Sequence, residues 1–336
     1  MRLAFIGFRH GHIMGLYKSA CTDPRVKVVA ASEDHEQTAG ELKAAGSVTL
    51  THSDYRQLLK EVDCDAVAVG DYFARRGEII IAALKAGKHV IADKPICTTL
   101  DELAIIGNLC KEKSRQLSAL LDLRDSGALR IMQQLIRDGV IGEVHTLNFT
   151  AQHPLFLNKR AAWYFEKGKH GGTLNDIAIH ATDLIPWMTG RTIQSVVAGR
   201  AWNARVPQFP HFQDAGQLML QLDNAGGVLG DVSYLAPDGI AYSAPQYWRI
   251  TCHGAEGVLE ANYGARHVHL AARSDKTIRT IDAEPDDPLG RLNEFLSAVH
   301  GASQPGALTT NDVLTASRAA LTIQTCADQH RHDVSL

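Results

Sequence analysis

Several things are scarce in this chain of 336 residues, and each scarcity narrows what it can be. The six cysteines (Cys21, Cys64, Cys97, Cys110, Cys252 and Cys326) lie far apart with no C-x-x-C pair, which fits reduced thiols in a cytosol. The formal net charge is only −3, so no basic field advertises nucleic acid or anionic lipid as a partner. No apolar run approaches membrane-spanning length. A strand-like run opens two residues after Met1 and leaves no room for a signal peptide, so the expected location is cytoplasmic. There is no internal repeat and no low-complexity stretch. At this length two domains are expected, each able to bury its own core.

What is present falls into two grammars. Short apolar runs at Leu3–Ile6, Val26–Ala31, Ala66–Val69, His89–Ala92 and Gln116–Leu121 alternate with helical stretches at Gly11–Cys21, Gln37–Ala45, Tyr55–Lys60, Gly77–Ala86 and Leu100–Glu112. Strand runs without polar alternation are covered on both faces, so residues 1 to about 123 predict a doubly wound, parallel α/β domain. Gly87 should end one helix in the left-handed conformation, and Thr99 with Glu102 makes a capping box for the next. After a helix near Ser126–Asp138 the pattern changes. Runs at Val144–Ala151, Ile193–Ala201, Gln217–Leu222, Gly227–Tyr234, Tyr247–Cys252, Val258–Ala261 and His267–Ala272 predict one antiparallel sheet of five or six strands. Helices at Arg291–His300 and Asn311–Gln329 close the chain.

Gly7 lies where the first strand must turn sharply into a helix whose free N–H groups can receive a pyrophosphate. A G-x-G-x-x-G turn would carry glycine at positions 7, 9 and 12. Here Arg9 and His12 stand at the last two, so Arg9 would approach the phosphates as a cation. Glu33 ends the second strand, where a carboxylate hydrogen-bonds an adenine ribose. A 2′-phosphate there would meet Glu33 and Asp34 and no nearby arginine, which favours NAD over NADP. The plainer alternatives are a turn without nucleotide and an acidic pair that merely solvates a loop.

Lys94 follows a buried strand and precedes a proline, which aims its ammonium off the carboxyl edge of the sheet. There it can stabilise the oxyanion that develops as an alcohol becomes a ketone. Asp176, His180 and Asp183 fall within a sector of about 60° on one helix face. Histidine suits proton transfer near neutral pH, and a nearby carboxylate can orient its ring. Gly171-Gly172 just ahead lets the backbone approach a ligand closely. Two other readings of this face are a metal site, for which no third ligand is evident, and a buried histidine satisfied by Asp176. The glycine pair and Lys94 tip the balance toward catalysis, and no metal is expected.

Taken together, these residues resemble the Gfo/Idh/MocA oxidoreductases, the glucose–fructose oxidoreductase and inositol dehydrogenase group. The likeness runs nearly end to end. It passes through Ala83-Leu84-Lys85-Ala86-Gly87-Lys88-His89-Val90 into Asp93-Lys94-Pro95, where the family typically has Glu-Lys-Pro. It continues through Gly142-Glu143-Val144, the Gly171 to His180 motif, and Asn293-Glu294-Phe295-Leu296. Besides Arg9 and His12, the chain departs at Asp93 and at Gly70 to Arg76, which lacks the proline and histidine often found there.

The resemblance implies an NAD-binding Rossmann domain over residues 1–123. It also implies an α/β domain with an open, mostly antiparallel sheet over 124–336, for substrate binding and oligomerisation. The implied reaction moves hydride between nicotinamide and a secondary hydroxyl of a sugar, polyol or sugar acid. Carried over by position, Lys94 holds the reacting hydroxyl, His180 is the general acid/base, and Asp176 orients the substrate or His180. The cofactor residues expected are Gly7, Arg9, His10, Gly11, His12, Glu33, Asp71, Asp93 and Lys94. Arg124, Trp163 and Asn175 join Asp176 and His180 on the substrate side. The cationic, aromatic stretch from Lys159 to Lys169 suits an acidic sugar, or is simply a solvated loop. Homodimers or homotetramers would form through the open sheet. Two rival functions share this fold: a redox-neutral enzyme that cleaves a glycoside or epimerises through transient oxidation, and a non-catalytic sensor of NAD or sugar.

Overall fold

The computed structural model of the chain describes residues 1–302 and 304–336. One compact unit comprises residues 1–120 and 289–314, and a second comprises residues 121–288 and 315–336.

In the first unit β1 (Arg2–Ile6), β2 (Lys27–Ser32), β3 (Ala66–Val69), β4 (His89–Ala92) and β5 (Leu117–Ala119) form a parallel sheet ordered β2-β1-β3-β4-β5. Helices α1 (His12–Thr22), α2 (Glu36–Ala44), α3 (Tyr55–Glu61), α4 (Phe73–Lys85) and α5 (Leu100–Lys113) lie between the strands in the chain. All of β3, and all but the first residue of β1 and β4, is buried, which is why these runs show no polar alternation. Gly87 is left-handed at φ 72°, and Thr99 Oγ1 accepts the Glu102 N–H at 3.2 Å, as the sequence predicts. α4 starts four residues ahead of its expected position, because Phe73 and Arg76 in its first turn are both buried. Strand order reverses between β1 and β3, and a doubly wound sheet takes its ligands at the carboxyl ends of such strands.

The second unit holds α6 (Gly127–Arg137), α7 (Thr173–Ile177) and α8 (Ile179–Thr189) beside a sheet of nine strands. These are β6 (Val144–Pro154), β7 (Ile193–Trp202), β8 (Ala215–Leu222), β9 (Gly227–Ala236), β10 (Arg249–Gly254), β11 (Gly257–Asn262), β12 (His267–Ala272), β13 (Arg279–Asp282) and β14 (Val334–Ser335). Their order is β13-β12-β11-β10-β6-β9-β8-β7-β14, antiparallel throughout except for the central β6–β9 pair. The expected five or six strands are therefore nine. The unforeseen β13 and β14 are short and little buried, so pairing with a neighbour makes them strands, and no apolar pattern announces them. α6 lies against β11 and β12, and α7 against β8 and β9. Leu218, Leu220, Val228 and Val232 are buried in this unit, while Met219 and Leu229 are exposed across the strand pair from each other.

The division of the chain also differs from a single break at 123. Helix α9 (Gly290–Val299) inserts Leu292, Phe295 and Leu296 into the core formed by Leu3, Phe5 and Ile13, so residues 289–314 belong with the parallel sheet. The long α10 (Thr310–Gln329) follows. Among the described residues no helix is long and apolar enough to cross a membrane.

Candidate active site

The dinucleotide end of the first unit is built on Gly7. Its φ is 78°, and a Cβ there would lie 2.8 Å from the Asp71 Cβ, so only glycine lets the β1 turn pass the end of β3. The Gly7 N–H bonds Ser32 O at 2.9 Å and the Gly70 N–H bonds Ile6 O at 3.0 Å, tying three strand ends together. α1 then begins at His12 with Gly11 as its N-cap, and the space over the Gly11 Cα is open. An open helix N-terminus beside a glycine turn fits a pyrophosphate.

Lys94 follows β4 on the same carboxyl edge and is 5 % exposed. Its loop is held by Arg76, which is wholly buried. Arg76 donates to Asp71 O at 2.8 Å, to Pro95 O at 3.1 Å and to Lys94 O, and its Nη2 reaches Asp93 Oδ2 at 3.1 Å. The Asp93 carboxylate also meets His10 Nδ1 at 2.5 Å and His12 Nδ1 at 3.2 Å. Burial alone would raise the Asp93 carboxyl, but Arg76 and the two rings hold it well below the usual range. The His10 ring is pushed down to about 4, burial outweighing the nearby Asp93 carboxylate. One candidate metal-ligand group among the described residues consists of His10, His12 and Asp93, whose ligand atoms lie within 4.8 Å of one another. Their closest separation is that of a hydrogen bond, and Arg76 shares the carboxylate, so the group reads as an anchor for the turn.

The ribose corner departs furthest from expectation. The Glu33 side chain is 0 % exposed. Its Oε2 accepts the Phe8 N–H at 2.7 Å and its Oε1 the His35 N–H at 2.8 Å, which folds the loop between β2 and α2. Asp34 is the open carboxylate, receiving Arg9 Nη2 at 2.5 Å, Arg75 Nη1 at 2.7 Å, and Arg75 Nη2 on its second oxygen. The premise that no arginine stands near this corner is thus corrected. The turn after β1 brings Arg9, and the first turn of α4 brings Arg75. Asp71, whose carboxyl is raised by burial, backs both guanidiniums. A small cavity opens here, lined by Gly7, Ser32, Glu33, Asp34, Tyr55 and Asp71. Glycine turn, open helix start, cavity and carboxylate together fit NAD.

In the second unit Gly171 and Gly172 have φ of 79° and 94°. What approaches Gly172 is the Gln324 carboxamide, which occupies the space a Cβ would take. Gln324 Oε1 accepts the N–H groups of Leu174 at 2.9 Å and Asn175 at 3.3 Å, capping α7. The helix is interrupted at Ala178, between α7 and α8, so the three polar residues expected on one face take three different partners. Asp176 Oδ2 receives the Tyr234 hydroxyl and lies 3.6 Å from His170 Nε2. Burial and the Asp176 carboxylate push the Tyr234 hydroxyl well above its usual value, so it stays a donor. His180 Nδ1 is 3.9 Å from Asp122 Oδ1, with its ring edge-on to Trp248 at 5.3 Å. Asp183 takes Arg124 in a two-pronged pair at 2.8 and 2.5 Å, both side chains buried.

The structure thus spends Arg124, expected on the substrate side, on an internal ion pair beneath Trp187. Trp163 is buried with its ring 4.1 Å from that of Tyr164, and Asn175 is buried within α7. Arg160 gives its guanidinium to Leu155 O and Pro154 O over the Tyr164 ring, and Lys169 pairs with Glu166. Sequence reasoning missed His170, Tyr234, Asp122, Arg75 and Arg76. Only His170, directly before the glycine pair, carried a local signal.

Two family models match the chain. One, described as an oxidoreductase family with an NAD-binding Rossmann fold, covers residues 1–120. The other, the GFO/IDH/MocA C-terminal domain, covers residues 129–260. Levoglucosan dehydrogenase of Pseudarthrobacter phenanthrenivorans is 27 % identical over 291 residues, spanning 79 % of this chain and 73 % of that protein. Inositol 2-dehydrogenase 2 of Saccharopolyspora erythraea is 26 % identical over 221 residues, 64 % of this chain and 61 % of its own. Among solved structures, an oxidoreductase from Thermotoga maritima superposes with a TM-score of 0.87 at 20 % identity, covering 100 % of both chains. A levoglucosan dehydrogenase complexed with NADH gives 0.81 at 20 % identity over 99 % of both chains.

Proposed function

Because the chain belongs to the Gfo/Idh/MocA oxidoreductases and is an NAD(P)-dependent enzyme of that family, we propose that it uses NAD to oxidise a secondary hydroxyl of a neutral sugar or polyol, or runs the reverse reduction. The observation that carries this reading is the place of Lys94, fixed by Arg76 on the same sheet edge as the glycine turn. Bound NAD supplies the hydride acceptor. An imidazole nitrogen of His180 takes the hydroxyl proton, and the Lys94 ammonium steadies the negative charge left on oxygen. Asp176, held by the Tyr234 hydroxyl, orients the substrate. The relatives named for levoglucosan and inositol support a neutral substrate. So does the commitment of Arg124 and Arg160, which would otherwise suit a sugar carboxylate.

The test is a panel of anhydrosugars, inositols, aldoses and sugar acids incubated with NAD, read by nicotinamide absorbance. Net NADH with a neutral member is expected. Lys94→Ala and His180→Ala should each abolish turnover while NAD affinity stays within about threefold, as for groups that act on the reacting atoms alone. Retained turnover in both variants would sink the site assignment. Substrate consumed without net NADH would replace net oxidation by an internal redox cycle.

A further inference from the structure

We propose that Asp122 is a positioning residue for His180: its carboxylate takes the Nδ1–H of the ring and so leaves Nε2 as the atom that receives the hydroxyl proton. The proposal rests on the reading of His180 as general base given above. The sequence offers Asp176 for this task, four residues before His180. In the structure the helix is interrupted between them at Ala178, and Asp176 Oδ2 receives the Tyr234 hydroxyl. It is Asp122 whose Oδ1 lies 3.9 Å from His180 Nδ1.

The backbone on both sides holds this arrangement. Asp122 opens a short helical turn, Asp122–Asp125, in which Leu123 and Arg124 are buried. Arg124 makes its two-pronged pair with Asp183, three residues past His180. That buried pair ties the turn to α8 and so sets how near Asp122 stands to His180. The ring is also met by Trp248, edge-on at 5.3 Å. Trp248 is 1 % exposed and has a φ of 49°, a left-handed conformation that a bulky residue rarely takes. Its carbonyl accepts the Tyr263 N–H at 3.1 Å and its ring stacks on Phe149 at 6.1 Å, which keeps the strained backbone in place.

A separation of 3.9 Å is that of an ion pair and not of a hydrogen bond. Contacts of this kind close up when charge develops on the ring, and a side chain that is 49 % exposed has room to move. Nearby hydroxyls do not compete for the proton. Burial, and then the Asp122 carboxylate, raises Tyr247, and the same two causes push Tyr263 up to about 12, so both stay protonated. In the oxidation the C–H hydrogen leaves with its electron pair for nicotinamide, and the O–H proton passes to Nε2 as the carbonyl forms. The ring then carries a positive charge, which Asp122 faces through Nδ1–H. With the ring proton on Nε2 instead, that atom would have no lone pair to offer.

The experiment has two arms. Protein carrying isotope-labelled histidine is read by proton–nitrogen NMR in mildly alkaline buffer, where imidazole is neutral, with His180→Ala marking the His180 signal. Wild type should carry the proton on Nδ1, Asp122→Ala should move it toward Nε2, and Asp122→Glu should keep it on Nδ1. In the second arm, with the neutral substrate of the panel above, Asp122→Ala should lower kcat by about 10- to 100-fold while KM and NADH affinity stay within about threefold. Asp122→Glu should bring kcat back to within about fivefold of wild type. A proton on Nε2 in wild type, a spectrum unmoved by Asp122→Ala, or a kcat within about twofold of wild type overturns the assignment. So does a raised KM with kcat intact, which would make Asp122 a substrate contact. Absence of turnover with every member of the panel brings down the functional reading alone, and the nitrogen spectrum then decides this assignment.

Discussion

Replacing Gly172 by alanine asks whether this glycine exists for the protein's own Gln324 or for a ligand. Its φ of 94° and ψ of 145° lie where side-chain-bearing residues are strained, at a cost of about 1–3 kcal/mol. The new methyl would collide with the Gln324 carboxamide and push it off the start of α7. The Leu174 N–H, bonded at 2.9 Å, would lose its acceptor in a buried setting. An orphaned buried donor costs about 1–3 kcal/mol more. The expected loss is therefore about 2–6 kcal/mol, against a domain stability of about 5–15 kcal/mol. Urea unfolding of Gly172→Ala, Gln324→Ala and the double variant measures it. Gln324→Ala removes the cap and also clears space for the methyl, so the double variant should cost less than the two singles added, by about 1 kcal/mol or more. A Gly172→Ala protein within about 0.5 kcal/mol of wild type but with a raised KM would refute this account and give the glycine back to the substrate.

Three further outcomes are expected. The His10 ring has a folded value of about 4 against an ordinary 6.5, so the unfolded chain binds its proton first, and stability is lost as pH falls from about 6.5 toward 4. At 1.36 kcal/mol per pH unit this is about 3 kcal/mol; His10→Gln should flatten that part of the stability–pH curve, and an unchanged slope would contradict the burial argument. Arg124→Met strands a buried Asp183 and should cost about 3–5 kcal/mol in denaturant unfolding, most of it recovered when Asp183→Leu is added; a cost under about 1 kcal/mol would show the pair to be solvated. For the open sheet, we propose self-association across Met219 and Leu229, so that Leu229→Glu lowers the mass measured by light scattering; an unchanged mass would move the interface elsewhere.

The two grammars of the sequence survive in the two sheets because burial on one or both faces is written directly into residue order. The unbroken apolar runs of β3 and β4 mark a doubly covered parallel sheet, and their bounds in the sequence and the structure coincide. Residues with no burial pattern to follow escaped: β13 is a four-residue strand with little burial, legible only once β12 is beside it. α9 has a clear helical pattern, yet periodicity does not say which core receives Phe295.

The candidate site divides along a similar line. Gly7, Lys94, Asp176 and His180 stand at chain turns and helix starts, where backbone geometry restricts the residue type, and a motif can name them. Charge partners obey no such restriction. Arg75 reaches Asp34 across 41 positions, and Tyr234 reaches Asp176 across 58. In both cases the topology of the sheet makes the pairing and the sequence interval carries no trace of it. Spacing from the first strand places an acid at the ribose corner but does not choose between Glu33 and Asp34, which are neighbours of the same charge. The choice falls to backbone N–H groups, which claim Glu33, and to two arginines, which claim Asp34. Which carboxylate stays open at this corner is therefore set by the one that the loop after β2 has already used to fold itself.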